Sequence, residues 1–358
     1  MRLVSESDAL HARVRAFARG EPGDTFDSLA LDIARFQARW SPGFERLVAA
    51  HGGFTSVDEI PAVPSDAFRL ARVAVHAPEL DVARFVTSGT TGSERGVHAF
   101  RRLDTYDELS VAFGRGALLE PGAGPCLVLA LAPDPGEPGE SSLGHMMRLF
   151  MRRFDARPRD AWLLDASGLR LSALQAAIER AHAEGQRVLL LAASFALVAL
   201  LDALGGRQLA APAGSRVMQT GGFKGRSREL DPAALRADVA RALAVSPDRV
   251  VGEYGMTELT SQLYELEPGL FAPPPWLRVT PVDPITLREV RPGEGGLARF
   301  VDLGNVDSAI AVLTQDLVRR RGAGVELLGR SPGAPERGCS LAVEGLLGVW
   351  PHPSQQTA

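Results

Sequence analysis

From Asp27 to Trp40 apolar residues recur at helical spacing, with Leu29, Ile33 and Phe36 on one face, and the pattern predicts a helix. Ser41-Pro42-Gly43 ends it and a second helix follows, so the first eighty residues read as helices joined by turns. The stretch IPAVPSDAFR places two prolines ahead of a helix-start signal and reads as an extended connector. Beyond it, short apolar runs alternate with helical segments. Strands are predicted at Arg84–Thr87, Cys126–Ala132, Arg187–Leu191, Arg216–Gln219 and Arg249–Val251. Helices are predicted at Asp104–Leu118, Ser142–Phe154, Leu169–Ala183 and Asp231–Leu243. Alternation of this kind predicts an α/β fold with substantial parallel pairing. From Trp276 the pattern changes to short strands and turns such as RPGEGG, which predicts a smaller β-rich part. APDPGEPGE (Ala132–Glu140) reads as an exposed loop and the stretch from Pro351 as a disordered tail. The expected organisation is 1–80 helical, 81–275 an α/β core, 276–350 β-rich and 351–358 tail.

Composition narrows the function. The chain has 358 residues, 45% hydrophobic and 23% charged, with net charge -4, which suits a globular protein with ample core. The slightly acidic balance argues against nucleic acid or anionic lipid as a partner. Two distant cysteines, Cys126 and Cys339, predict neither a disulfide framework nor a four-thiolate zinc site, and Cys126 sits in an apolar strand as core. The N-terminus lacks the apolar run of a secretory signal. The longest apolar stretch, Val188–Leu201, falls short of the roughly 20 residues that span a bilayer and reads as a buried strand running into a helix. No membrane span and a cytoplasmic location are the expectations. Lys224 is the only lysine in an arginine-rich chain, which singles it out as a position where a point charge is needed.

The strongest chemical signal is TSGTTGSERG, Thr87 to Gly96. Its glycines permit close backbone approach, and successive N–H groups and hydroxyls make an anion cradle for a polyphosphate. The chain has no Walker-type loop. A second signal is GEYGMTE, Gly252–Glu258, after an apolar run. Tyr254 and Gly255 offer a face for a purine, Thr257 a hydroxyl for a phosphate, and Glu258 a hard oxygen ligand for Mg²⁺. QTGGFKG lies between them, with Gly221 and Gly222 against the adenine or the substrate and Lys224 near the phosphates. On the helix after the Pro/Gly loop, Ser142 and His145 are candidates for contact with a substrate, as is Met256 beside Tyr254.

These motifs resemble those of the acyl-adenylate-forming superfamily, which holds acyl-CoA synthetases, peptide-synthetase adenylation domains and luciferases. The resemblance implies ATP as cosubstrate and Mg²⁺ as cofactor. It implies that Thr87, Ser88, Gly89, Thr90, Thr91 and Gly92 hold phosphates, and that Asp316 of LTQDL bonds the ribose. Arg330 of LLGR matches the arginine that ends the superfamily's large domain. The usual Pro-Lys-Gly closing the loop is here Glu94-Arg95-Gly96, so Arg95 stands for the cation. The implied fold is the large domain of these enzymes, with stacked mixed sheets and helices and a small β-rich subdomain. The small mobile domain that follows it in relatives is expected to be absent.

VPSDAFR, SSLGHMM, GGFK and the closing RGCSL narrow the resemblance to the LuxE family of acyl-protein synthetases. That family implies activation of a fatty acid and its transfer to a thiol, with Cys339 as acyl carrier and a reductase as partner. Open alternatives are transfer to coenzyme A or a carrier protein, and a degenerate fold that only binds.

Overall fold

The computed structural model describes residues 2–87, 95–122, 126–136, 139–155, 161–221 and 231–331. They divide into two compact units, one made of 2–87, 95–114, 139–142 and 254–331, the other of 115–122, 126–136, 143–155, 161–221 and 231–253.

The second unit is built on parallel strands. Leu127–Leu131, Val188–Ala193, Arg216–Thr220 and Val250–Tyr254 pair in that order, with Leu129 beside Leu190, Leu191 beside Met218 and Thr220 beside Glu253. Every residue of the first two is buried, the pattern of parallel strands covered on both faces. Helices Ser142–Phe154, Leu171–Ala183, Ser194–Leu204 and Pro232–Leu243 belong to the connections. The apolar run from Val188 divides at Ser194, where strand gives way to helix, and Gly205 in the left-handed region ends that helix. Asp231 is the cap of the next helix, not its first residue: its carboxylate accepts from Ala234 N and Pro232 occupies the first turn. Leu169 likewise stands outside its predicted helix. It pairs with Leu164 in a short hairpin whose turn needs Gly168 at φ +101°.

In the first unit the helices Arg2–Ala18, Phe26–Trp40 and Pro42–Ala50 share one core with strand residues. Leu29, Ile33 and Phe36, the predicted apolar face, pack there with Leu10, Val14, Val301 and Ile310. Thr25 and Ser28 form a reciprocal capping box, and Ser41 closes the Phe26–Trp40 helix while its side chain caps the next one. Strands Leu277–Val282, Gly295–Asp302, Ala311–Arg321 and Gly324–Arg330 run antiparallel in succession. Leu270–Ala272 pairs with the last of these and with Leu263–Glu267. A separate hairpin joins Ala83–Val86 to Val97–Phe100.

The N-terminal helix is latched by buried polar groups. His11 Nε2 lies 3.0 Å from Asp307 Oδ2 and its Nδ1 2.8 Å from Thr105 Oγ1, while Ser7 Oγ donates to Asp307. Burial works against the Asp307 charge, but the His11 and Ser7 bonds and the Arg101 guanidinium overcome it and hold the carboxyl down at about 2. Among the described residues no helix is long and apolar enough to cross a membrane.

Candidate functional site

The glycine-rich loop starts and ends on the Ala83–Val86/Val97–Phe100 hairpin, and its base is closed by its own two ends. Thr87 N donates to Gly96 O at 2.8 Å, and Gly96 N donates to Thr87 Oγ1 at 2.8 Å. A Cβ on Gly96 would sit 3.0 Å from Thr87 Cγ2 and 3.1 Å from Thr87 Oγ1, so this position accepts little more than glycine. Arg95, beside it, is exposed. Ser88, Gly89, Thr90, Thr91 and Gly92 lie outside the described residues, as do Gly222, Lys224 and Cys339.

Two residues past the loop, His98 ties the hairpin to the GMTE segment. His98 Nδ1 is 2.8 Å from Thr257 O, and Nε2 is 2.8 Å from Ser308 Oγ. A carbonyl only accepts, so Nδ1 carries the hydrogen. Burial holds the imidazole down at about 4, so it is neutral at pH 7 and Nε2 accepts from the Ser308 hydroxyl. Thr257 and Glu258 are both buried, at 4% and 3% exposure.

Further buried groups fix the chain that follows Thr257. Asn305 Nδ2 donates to Glu258 O at 3.0 Å and to Ala309 O at 2.9 Å. Asp302 accepts from Thr260 N, Ser261 N and Gly304 N, each at 2.9 Å, and from Ser261 Oγ at 2.7 Å. Burial raises its carboxyl despite these bonds. Gln37 reaches in from a helix: its Nε2 donates to Asn305 O at 2.7 Å and its Oε1 accepts from Ile310 N at 3.0 Å. Every one of these polar side chains has partners, which is what lets them stay out of water.

Tyr254, Asp316 and Arg330 come together. Tyr254 OH donates to Asp316 Oδ2 at 2.7 Å, and Arg330 Nε lies 3.4 Å from Asp316 Oδ1. Asp316 and Arg330 are direct cross-strand partners, so their proximity is set by register. The Tyr254 ring stacks on Phe300 with centroids 6.0 Å apart and planes 15° from parallel. All three are half-buried. Gly255 and Met256 are also half-buried, and Met256 packs on a core cluster that includes Phe68, Leu277 and Phe300. The Ser142 carbonyl accepts from Tyr106 OH at 3.3 Å, and half-buried His145 follows on the same helix.

Within the second unit, neighbouring parallel strands end beside each other at Thr220 and Glu253. Gly221, at φ +73°, follows Thr220, and its carbonyl accepts a bond from Ser194 Oγ. Thr220 Oγ1 donates to Glu253 Oε2 across the strand pair. Cys126 is buried, and burial pushes its thiol up to about 11.

His98, Asn305, Asp302 and Gln37 escaped the sequence reading. The one local sign is VDLGNVDS, 301–308, where charged and amide residues punctuate an apolar run.

The fold is that of adenylate-forming acid ligases. It is similar to 2-hydroxyisobutyryl-CoA ligase in its postadenylation state with 2-HIB-AMP, at 12% identity and TM-score 0.58 over 85% of this chain and 67% of that one. An open conformation of the same ligase with 2-HIB-AMP and CoA gives 13% and 0.57 over 83% and 72%. Apo MatB from Rhodopseudomonas palustris gives 17% and 0.51 over 70% of this chain and 48% of that one, so the chain spans about half of MatB's length. At these identities the likeness is one of fold. The sequence profile of the acyl-protein synthetases, LuxE, matches residues 51–347, and the chain belongs to that family. No curated protein matches it in sequence.

Proposed function

We propose that the chain activates a carboxylic acid, of the fatty-acid class, with ATP and passes the acyl group to a thiol. A carboxylate oxygen attacks the α-phosphorus, the bond to the bridging oxygen breaks and pyrophosphate leaves. A thiolate then attacks the acyl carbon of the adenylate, and AMP departs with the electron pair of the C–O bond. The observation that carries the reading is the Tyr254–Asp316–Arg330 cluster, in a chain of the acyl-protein synthetase family. It groups an aromatic face for a base, a carboxylate for ribose hydroxyls and a cation at one place.

In this reading Thr87 to Gly92 cradle the phosphates, with Arg95, Thr257 and Lys224 neutralising charge as pyrophosphate departs. Gly221, Gly222 and Gly255 let the backbone approach the nucleotide. Ser142, His145 and Met256 border the acid. Among the described residues no group of three or more His, Cys, Asp or Glu could hold a metal ion. The buried carboxylate Glu258 suits Mg²⁺, which takes its other ligands from phosphate and water. Bound there, the ion would supply neutralisation of phosphate charge. Cys339 is the first acyl acceptor in this scheme, and a reductase partner, a carrier protein or coenzyme A the later one.

The test is acid-dependent exchange of pyrophosphate into ATP across a panel of fatty, aromatic and short acids. Mass spectrometry of Cys339 with and without coenzyme A follows. Exchange with a fatty acid and acyl mass on Cys339 are expected. No exchange with any acid would reduce the chain to a binding subunit.

A further inference from the structure

Glu253 is 5% exposed and lies at the C-terminal end of a parallel strand, one residue before Tyr254. Its register partner on the neighbouring strand is Thr220, one residue before Gly221, and the Thr220 hydroxyl donates to its carboxyl. Ser194, at the start of the next helix, adds a second tie, donating to the carbonyls of Thr220 and Gly221. Gln219 Nε2 donates in turn to Ser194 Oγ at 3.2 Å. The groups facing this strand end from the adjoining strand and helix, Gln219, Thr220 and Ser194, are uncharged. Arg236 of the Pro232–Leu243 helix reaches the same strand at its other end, through Val250 O, and Arg249 precedes it there.

We propose that Glu253 is a positioning residue: its bond with Thr220 clasps the ends of two strands and so sets where Gly221 leaves its strand to meet the nucleotide. This rests on the reading of Gly221 as a nucleotide contact. A carboxyl in this place does its work as the neutral acid. Burial pushes it up to about 7, against the Thr220 bond, which favours the charged form. Loss of the proton strengthens the Thr220 bond but leaves a buried charge that one hydroxyl solvates too little, and the strand ends must open toward water to supply the rest. Tight nucleotide binding is therefore linked to the proton on Glu253.

The experiment measures MgATP binding to the full chain by calorimetry from about pH 6 to about pH 9, with pyrophosphate exchange alongside. Wild-type binding is expected to weaken by about tenfold between about pH 7 and about pH 9, beyond the change free MgATP itself undergoes. Glu253→Gln, which keeps shape and neutrality, is expected to lack that limb. Thr220→Val, which removes the hydroxyl and keeps the volume, is expected to raise KM for ATP about fivefold with kcat within about twofold. Glu253→Gln following the wild-type pH curve, or Thr220→Val binding ATP as tightly as wild type, overturns the proposal while exchange activity stands. A wild-type chain that neither binds ATP nor exchanges pyrophosphate at any pH overturns the adenylating reading and this proposal with it.

Discussion

His98 Nδ1 and the carbonyl oxygen of Thr257 are 2.8 Å apart, and through that bond the strand leaving the glycine-rich loop holds the backbone of GMTE. Two motifs separated by more than 150 positions in the chain thus share one buried imidazole. Because this ring is neutral in the folded state, its environment is also a source of acid sensitivity.

The sign follows from the two protonation states. Unfolded, His98 binds a proton at its ordinary 6.5; folded, only at about 4. Its contribution is fully present above the unfolded value and falls as pH drops through this window, by roughly 3 kcal/mol in all. Urea midpoints of wild type and His98→Gln should diverge in slope across that range, the variant being flatter and less stable at neutral pH. Parallel slopes would mean that the ring already protonates with the fold intact.

Asp307 acts at lower pH. Its folded carboxyl is held at about 2 against an ordinary 3.8, so its stabilisation is present above 3.8 and is lost as pH falls toward about 2. Asp307→Asn is expected to cost about 2 kcal/mol at neutral pH, because His11, Ser7 and Arg101 lose their acceptor charge. The gap to wild type should narrow only below about pH 4. A gap independent of pH would assign the loss to packing.

Gly304 has no room for a methyl group. A Cβ there would lie 2.6 Å from Thr260 Cγ2 and 3.0 Å from Leu109 Cδ1, whereas one on Gly43 meets nothing within 4 Å. Gly304→Ala is expected to destabilise by about 1–3 kcal/mol. Gly43→Ala, inside a helix, should stabilise by a few tenths to about 1 kcal/mol. Thermal melts of the two variants measure both, and similar melting temperatures would contradict the packing around Thr260.

Tyr254→Phe removes one hydrogen bond from Asp316 and keeps the stacked ring. With such a bond worth about 1 kcal/mol, KM for ATP should rise about fivefold with kcat little changed. Asp316→Ala should raise it further. A fall in kcat at constant KM would move the cluster from holding nucleotide to some other task.

If the proposed role of Lys224 holds, Lys224→Ala should slow adenylate formation by about a hundredfold or more while MgATP affinity changes by less than about threefold, as expected of a charge matched to departing pyrophosphate. Single-turnover exchange and calorimetry separate the two quantities. Equal losses in both would remove the lysine from the chemistry.

Much of the architecture was legible because helical periodicity is local. Asp104–Leu118 and Ser142–Phe154 stand in the structure with the predicted bounds, and the strand ends differ by up to three residues. Asp231 and Leu169 were misassigned at helix starts, where a cap or a glycine turn, not periodicity, decides the boundary. Within the candidate site, Tyr254, Asp316 and Arg330 could be read from motifs, but their meeting depends on strand register. Asn305, Asp302 and His98 could not be read at all. Each has partners tens to hundreds of residues away, and a polar residue in an apolar run gives no sign of what it will bond. Glu253 was visible only as one letter of GEYGMTE, because its meaning comes from Thr220 on another strand.

The clasp between Thr87 and Gly96 has a consequence for substitutions beside it. The two ends of the loop bond to each other and close its base. Arg95 takes no part in those two bonds, so a substitution there is expected to leave the base standing, whereas any side chain on Gly96 would press on Thr87.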